Sequence, residues 1–586
     1  MTPKPLRSLR PTRDDAAASP PSTALPPLGR RTVVAGGGAG LAGLAVASAP
    51  TEAAQGDPRA TRAARIFQHG VASGDPRPRA VVLWTRVTPT RASRPGSGRG
   101  PRVEVAWEVA RDRDFRRVVK RGTVMTGADR DHTVKFDVTG LRPATWYYYR
   151  FTCRGERSRV GRTRTAPARR SSPRNLRFGV VSCANLQAGW FSAYRGLAAR
   201  DDLHAVLHLG DYLYEYGPGQ YGLGRDNVDV RPHDPPHEMV SLSDYRRRHA
   251  QYKTDPDLQD AHAKFPWIIT WDDHEVTNDQ WRGGAENHQA GEGDYRRRRA
   301  KAHRAYDEWM PVRMDSTARL GDGDRLYRRL RFGTLAEISM LDLRTYRTEQ
   351  PASPVSPGGG GADDPDATIT GARQLRWLKQ SLRRERALWK VIGNPVMITP
   401  VTFAQLPADL VDPVNDVTGL LPSDGVPYNV DQWDGYTADR AEVARHLRDQ
   451  GVENALFVTG DIHSGWAAEV PFDVGTYPLS DPVAVEFVCT SVTSNNLKDI
   501  LGTPPRTASR VVETAILAAN RHIKYLNFDD HGFSVLDLTA ERAQMDWFVI
   551  GDRARRDTPI TWTTSYATRT GTQRLVQVDA PVGGGR

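Results

Sequence analysis

Several short stretches of the chain place a titratable or ligand-type side chain directly after an apolar run. They are Cys183 after 178–182, Asp211 and Tyr214 after 207–210, Asp273 and His274 after 269–271, Asn394 after 391–393, and Asp461 and His463 after 457–460. Apolar runs of this length predict buried strands. Because ligand sites in α/β sheets form outside the carboxyl ends of the strands, we expect these side chains to converge.

The combined side chains suit a pair of metal ions that hydrolyses a phosphate ester. This reaction needs a nucleophile near neutral pH and relief of the charge that develops in the transition state. Two cations about 3.5–4 Å apart supply both, because they lower the pKa of a bound water from about 16 towards 7. Asp211 would bridge the cations. The phenolate of Tyr214 and the thiolate of Cys183 suit ferric iron, and oxygen ligands suit calcium, but the set alone also admits manganese or zinc.

Each motif taken alone has an ordinary structural explanation. Cys183 could be a small buried hydrophobe, and His463 could be a hydrogen-bonded core histidine. For Asp272 we favour the interpretation that it is the N-cap of a helix. The placement of all five motifs at predicted strand ends is what indicates a functional site.

Two regions of different pattern must position these residues. Residues 64–165 are predicted to form a small fibronectin-like β-sandwich domain, because short strands alternate there with Gly and Pro turns. Residues 166–174 are typical of a linker. Residues 175–565 are predicted to form an α/β catalytic domain with a four-layer αββα core, because apolar strands alternate with helical segments. Residues 566–586 are expected to be a C-terminal tail.

The element boundaries follow from the hydrophobic pattern. Strands are predicted at 80–87, 103–109, 133–138 and 145–151 in the first region, and at 176–181, 205–209, 267–271, 335–341, 389–392, 455–458 and 483–489 in the second. Helices are predicted at 242–252, 293–310, 372–387, 438–450 and 508–525.

Residues 1–54 are predicted to be a disordered leader with a twin-arginine signal peptide. Arg30 and Arg31 precede a small-residue apolar run, Ala35–Ala49, which is the layout of such a signal. The alternative is a chance arginine pair in an arginine-rich chain. The run is too short and too rich in glycine for a membrane span, and no later segment has 18 uncharged apolar residues. We therefore expect a secreted protein that the twin-arginine machinery exports.

The amino-acid composition indicates which classes of partner the protein could bind. The 586 residues carry a net charge of +12, which attracts polyanions such as phosphate esters and anionic cell-wall polymers. No basic stretch has the interleaved aromatic residues of a single-strand nucleic-acid groove, so no specific nucleic-acid partner is expected. Only three cysteines are present, so at most one disulfide can form.

Six motifs together resemble the PhoD-like alkaline phosphatases of the metallophosphoesterase superfamily. They span nearly all of the chain after the leader and are found at 67–76, 210–216, 271–275, 341–347, 433–436 and 460–464. The resemblance implies a phosphatase with one ferric ion and calcium. It also implies direct attack by a metal-activated hydroxide, without a covalent phosphoenzyme.

The resemblance also implies a role for each candidate residue. Cys183, Asp211, Tyr214 and His463 would bind iron. Asp211, Asp273 and Asp461 would bind calcium, with Asn394 as a further calcium ligand or phosphate contact. His274 would assist the leaving group, and Arg344 would hold phosphate unless it only forms a surface salt bridge. The Asp-x-His motif usual in the wider superfamily is absent, and Ser182-Cys183 stands in its place, as in this family.

Three other functions fit parts of the pattern. A phosphodiesterase acting on teichoic acid or phospholipid, or a nuclease, would use the same metals. A secreted, non-catalytic cell-wall-binding protein with a structural metal site fits the export signal and the basic charge. An iron-binding protein without catalysis fits Cys183 and Tyr214 but leaves Asp273 and His274 unexplained.

Overall fold

The computed structural model describes residues 66–221, 230–314, 325–353, 355, 361–384, 386–403, 405 and 425–583. The predicted leader, residues 1–54, lies outside the described residues. No helix among those described is long and apolar enough to span a bilayer.

The described residues form 24 strands. The strands of the first region are β1 Val71–Arg77, β2 Ala80–Arg86, β3 Val103–Ala110, β4 Val118–Thr126, β5 Thr133–Thr139, β6 Trp146–Cys153, β7 Glu156–Arg157 and β8 Gly161–Arg164. They are followed by β9 Asn175–Val181, β10 Ala205–Leu209, β11 Pro266–Thr270, β12 Arg328–Phe332, β13 Ala336–Met340, β14 Trp389–Asn394, β15 Thr402–Phe403, β16 Val426–Pro427, β17 Ala455–Thr459, β18 Gly465–Val470 and β19 Ala484–Val488. The last strands are β20 Ile523–Asn527, β21 Gly532–Thr539, β22 Arg542–Ile550, β23 Ile560–Arg569 and β24 Leu575–Val578.

Eight α-helices lie in the same described part of the chain. They are α1 Ser192–Ala199, α2 Leu242–Tyr252, α3 Pro256–Lys264, α4 Tyr295–Trp309, α5 Ala372–Arg384, α6 Thr437–Asp449, α7 Leu497–Leu501 and α8 Ala508–Ala519. Side-chain caps fix several starts: Ser241 caps α2, Asp255 caps α3, and Asp294 caps α4 by accepting a bond from a first-turn N–H group.

Two large sheets organise the fold. The first has ten strands in the order β24-β23-β22-β21-β9-β10-β11-β1-β2-β5, and the second has seven in the order β12-β13-β14-β17-β19-β18-β20. Strands β9, β10 and β11 are parallel in the first sheet, as are β13, β14, β17 and β19 in the second. Parallel strands end at one edge, so each sheet presents its loops together there.

The buried apolar side chains form three clusters, one between the two sheets and one on the outer face of each sheet. Side chains such as Leu207 and Val458 fill the space between the two sheets. Helices α1 to α4 cover the outer face of the first sheet, and α5 and α6 cover that of the second. The predicted αββα core with an N-terminal β domain is confirmed.

The N-terminal strands are shared between two sheets. Strands β1, β2 and β5 extend the ten-stranded sheet, because β1 pairs in parallel with β11. Strands β3, β4, β6, β7 and β8 form a separate sheet. Apolar residues of both, including Leu83 and Phe151, pack in one cluster.

Some elements differ from the predictions. The predicted helix 508–525 ends at Ala519, because the chain then enters β20, which pairs with β18. Helices α1 and α3 are not among the predicted elements. The predicted boundary at residue 565 falls inside β23, and β24 follows in the expected tail because it pairs with β23.

Lys253, at the end of α2, is buried beside the first sheet. Its ammonium nitrogen lies 2.9 Å from the hydroxyl of Tyr212 and 4.9 Å from the ring centre of Trp84. Burial lowers the pKa of Lys253 to about 7. Between about pH 7 and 10.5, Lys253 is protonated in the unfolded chain and neutral in the folded chain. The free energy of unfolding therefore decreases as the pH falls through that range.

We predict that Lys253→Met raises the melting temperature at pH 7 and that this gain shrinks towards pH 10. The free-energy difference should change by about 1.4 kcal/mol per pH unit. Thermal unfolding at several pH values measures it. Lys264→Met is the control, because the Lys264 ammonium pairs with the exposed Asp201. A gain that is constant across the pH range would contradict the prediction.

Candidate metal centre

The carboxyl ends of strands from both sheets bring the candidate residues together. Cys183, Asp211, Asp272 and Asp461 each lie two residues beyond the last residue of β9, β10, β11 and β17. Three groups of ligand atoms have all members within 4.8 Å of one another. They are those of Cys183, Asp211 and His463; of Asp211, Asp273 and His274; and of Asp211, Asp272, Asp273 and Asp461. Asp211 belongs to all three groups and therefore joins them into one centre.

The backbone at these strand ends is strained. The φ angles of Cys183, Asp211, Asp461 and His463 are 58°, 55°, 61° and 52°. Such left-handed conformations cost a non-glycine residue on the order of 1–3 kcal/mol, and they persist where the surrounding structure enforces them. Four such residues lie in this one cluster. Their backbone conformation lowers the stability of the fold but directs their side chains towards the centre.

Two glycines allow the strand ends to approach closely. A Cβ atom on Gly210 would lie 2.5 Å from the Cβ of Asp272, and one on Gly460 would lie 2.7 Å from the Cβ of Ser182. Gly210 also has a φ of +107°. The Gly-Asp pairs at the ends of β10 and β17 are therefore required by packing as well as by the carboxylates that follow them.

Tyr214 connects the two sheets at the centre. Its hydroxyl donates to Asp211 at 2.7 Å and lies 3.1 Å from Nε2 of His463. The Nδ1 atom of His463 lies 2.7 Å from the carbonyl oxygen of Asn495. A carbonyl only accepts, so Nδ1 carries a hydrogen, and this orients Nε2 towards Tyr214.

Arg344 lies among the carboxylates and is fully buried. Its Nε donates to Oδ1 of Asp272, and its Nη2 donates to Oδ2 of Asp272 at 2.9 Å. Its Nη1 donates to both carboxylate oxygens of Asp431, at 2.7 and 2.9 Å. Nη2 also donates to Asp461 at 3.2 Å. One guanidinium thus bonds three carboxylates and offsets part of their charge.

His274 is held by Glu215, which is also buried. The Nδ1 atom of His274 lies 2.7 Å from Oε2 of Glu215. Nε2 of His274 has no hydrogen-bond partner among the described residues. Burial lowers the pKa of His274, but Glu215, Asp211 and Asp273 raise it more, so that it lies well above its ordinary value.

The centre as described carries buried acids that need a cation. Burial raises the pKa of Asp211, of the Cys183 thiol and of the Tyr214 phenol well above their ordinary values. Oδ1 of Asp211 is buried and has no hydrogen-bond partner in the described part of the chain. Bound metal ions would favour the anionic form of all three groups. The donor set of thiolate, phenolate, imidazole and carboxylates fits metal binding.

Comparison with known proteins assigns the family. A family model described as PhoD-like phosphatase matches residues 178–547, and one for the PhoD-like phosphatase N-terminal domain matches 51–167. The chain belongs to the PhoD-like phosphatase family. It is 36% identical over 486 residues to alkaline phosphatase D of Bacillus subtilis (strain 168), covering 83% of this chain and 77% of that protein. A solved structure described as "Structure of PhoD" matches with a TM-score of 0.77 and 34% identity, covering 89% of this chain and 94% of that one.

The predicted resemblance is confirmed, and the chain is a phosphoric ester hydrolase. The alternatives of a non-catalytic cell-wall-binding protein and of an iron-binding protein without catalysis are therefore set aside. All three cysteines of this PhoD-like phosphatase are free and buried, so Cys153 and Cys489 do not pair.

The structure contradicts two interpretations, those of Asp272 as a helix N-cap and of Arg344 as a surface salt bridge, and leaves the role of Asn394 a prediction. Asn394 is the last residue of β14; its Oδ1 accepts from Trp433 at 3.2 Å, and its Nδ2 donates to Val396 and Thr459. None of these contacts reaches the clustered groups, so its role as a ligand stays a prediction. Asp272 does not cap a helix, because only turns follow it and its carboxylate pairs with Arg344.

The alternative of a surface salt bridge for Arg344 is wrong, because its guanidinium is fully buried. Its role as a phosphate contact stays a prediction, since the bonds to carboxylates occupy its nitrogen atoms. Sequence reasoning also missed Glu215 and Asp431. Glu215 directly follows Tyr214 and could have been found as a further acid in that motif, whereas no local signal marks Asp431.

A loop at 493–495 bonds two candidate metal ligands, Cys183 from the first sheet and His463 from the second. Ser494 donates from N at 3.2 Å and from Oγ at 2.9 Å to the carbonyl of Cys183, and Asn495 accepts from His463. Arg553 clamps this loop, because it donates to the carbonyl of Thr493 and, at 2.7 Å, to Oδ1 of Asn495. Arg553 is buried and lies beyond the region that the catalytic family model matches.

We predict that Arg553→Met lowers metal affinity and phosphatase turnover by about 10–100-fold, the usual cost of losing a group that orients a ligand. Metal titration and ester hydrolysis measure the two effects. Arg555→Met is the control, because Arg555 lies two residues after Arg553, between β22 and β23, and is exposed. Equal metal affinity in the two variants would show that Arg553 does not position the centre.

Proposed function

We propose that this chain is an alkaline phosphatase that hydrolyses phosphate esters at the centre around Asp211, with iron and calcium as cofactors. The observation that carries the proposal is the position of Asp211 between two groups of ligand atoms. Cys183, Tyr214 and His463 lie on one side, and Asp273 and Asp461 lie on the other. The anionic thiolate and phenolate donors suit trivalent iron, and the carboxylates suit calcium.

The bound cations would supply Lewis-acid stabilisation of the phosphoryl oxygens and a nucleophile near neutral pH. The protein contributes the fixed geometry. Asp211 is held by the strained turn after β10, and its N–H donates to Glu275 at 3.3 Å. Fixed donors in a buried site avoid reorganisation during the reaction, and this is the main source of electrostatic catalysis.

His274 is the proposed proton donor to the leaving oxygen. Its Nδ1 atom is bonded to Glu215, and Nε2 has no hydrogen-bond partner among the described residues, so Nε2 is the atom that would donate. Its ring lies against that of Tyr214, with 4.1 Å between the ring centres, so the proton is held beside the centre. A donated proton neutralises the alkoxide as the ester bond breaks.

We also propose that the twin-arginine machinery exports the protein and that it acts outside the cell. The arginine pair and the small-residue run at 30–49 support this. The net charge of +12 supports association with an anionic cell-wall polymer. The same metals would serve phosphate monoesters and diesters, so activity on both ester classes is part of the proposal.

We predict that Asp211→Asn abolishes hydrolysis of p-nitrophenyl phosphate and of its bis-ester, with a loss of at least about 10³-fold, because the shared ligand is removed. Steady-state assays on both esters, with elemental analysis, measure it. Asp546→Asn is the matched control, because Asp546 is equally buried but bonds Gln544 and Ser565. Full activity of Asp211→Asn would refute the proposal.

We predict a visible charge-transfer band in the metal-loaded protein, because a phenolate or thiolate bound to ferric iron absorbs visible light. Tyr214→Phe should remove or strongly shift this band. Tyr212→Phe is the control, because the Tyr212 hydroxyl instead contacts His262 and Lys253. A colourless loaded protein, or an unchanged band in Tyr214→Phe, would exclude iron bound by Tyr214.

A further inference from the structure

A cavity adjoins Thr345 and Tyr346, the residues that follow Arg344 in the chain. Its volume is about 570 Å³, and three arginines line it, namely Arg282, Arg325 and Arg373. Among the described residues that line it there is no Asp or Glu. Arg282 and Arg373 are exposed and form no ion pair within the described part of the chain. The wall therefore carries positive charge that described carboxylates do not neutralise.

The cavity also contains the start of α5. The first-turn residues 372–374 line it, and this turn carries no acidic residue. Leu375 donates the first bond of the helix, to the carbonyl of Gly371, so the preceding N–H groups lie at the cavity end. N–H groups at a helix N-terminus attract anions.

Thr345 and Tyr346 join the cavity to the centre. Thr345 is only 6% exposed, its side chain is hydrogen-bonded to the buried Asp342, and its N–H donates to Oδ1 of Asp342 at 3.0 Å. The hydroxyl is therefore held by the protein, and the charge that faces a ligand comes from the arginines. Thr345 and Tyr346 line the cavity, whereas the flanking Arg344 and Arg347 bond Asp431. The cavity and the centre thus share one segment.

We propose that this cavity is a second phosphate-binding site, distinct from the centre around Asp211. Three guanidinium groups and a helix N-terminus match a tetrahedral oxyanion better than a single carboxylate. The ring centres of Tyr327 and Tyr346 lie 5.7 Å apart, and the cavity has room for an organic group beside the phosphate. The ligand is free inorganic phosphate or a second phosphate group on the substrate. Only the choice of phosphate as the anion rests on the proposed function.

Equilibrium dialysis of the metal-loaded, full-length chain with radiolabelled inorganic phosphate tests the site. The wild type should bind one phosphate more per chain than Arg282→Gln/Arg373→Gln, whose affinity at this site should fall at least about tenfold. Arg383→Gln/Arg384→Gln is the control, because it removes the same two charges from the last turn of α5. Equal binding by the wild type and the double variant, or an equal loss in the control, would overturn the proposal.

A kinetic arm separates the two sources of phosphate. If the site takes a second group of the substrate, the double variant raises KM for a sugar bisphosphate and leaves KM for p-nitrophenyl phosphate unchanged. If it takes the free ion, neither KM changes, and only phosphate binding is lost. The dialysis result compares arginine variants, so it stands even if Asp211→Asn shows that the proposed function is wrong.

Discussion

The crowding of buried carboxylates at one edge of two sheets is the constraint on which the rest of the centre depends. Asp211, Asp272, Asp273 and Asp461 hold oxygen atoms within 4.8 Å of one another. Like charges this close in a low-dielectric interior repel strongly, and one result is that the pKa of Asp211 is raised by burial and by its acidic neighbours. The ionised form of the cluster needs positive charge beside it, and the protein supplies part of that charge through Arg344 and His274.

Local strain and close packing fix the geometry that this charge balance requires. The left-handed turns at Cys183, Asp211, Asp461 and His463 cannot relax, because each strand end is packed against another. Gly210 and Gly460 leave no room for a side chain between neighbouring strand ends. The backbone and the packing of the strand ends thus fix where these side chains lie, and fixed ligands reduce the cost of ordering on binding.

Much of the fold and part of the centre could be predicted from the sequence, because the signals are local. An apolar run that ends in a ligand-type residue correctly placed Cys183, Asp211 and Asp461 at strand ends. The same rule ranked Asn394 with them, but Asn394 is still inside β14, and its register partner is Thr459. Contacts across long separations left no local pattern: His274 with Glu215, Arg344 with Asp431, and Arg553 with Asn495 are 59, 87 and 58 residues apart. The extension of the first sheet by β1 was hidden for the same reason.

The arrangement of charge also bears on how an anionic substrate reaches an acidic centre. Without cations, the carboxylates around Asp211 would repel a phosphate ester, and the positive charge of Arg344 is already committed to Asp272, Asp431 and Asp461. Apart from bound cations, the positive charge that attracts anions therefore comes from arginines outside the centre. Exposed guanidinium groups such as those of Arg282 and Arg373 provide it, and steering by surface charge weakens as salt is added. Capture of the substrate and its chemical activation are thus assigned to different sets of side chains, joined by the segment that carries Arg344.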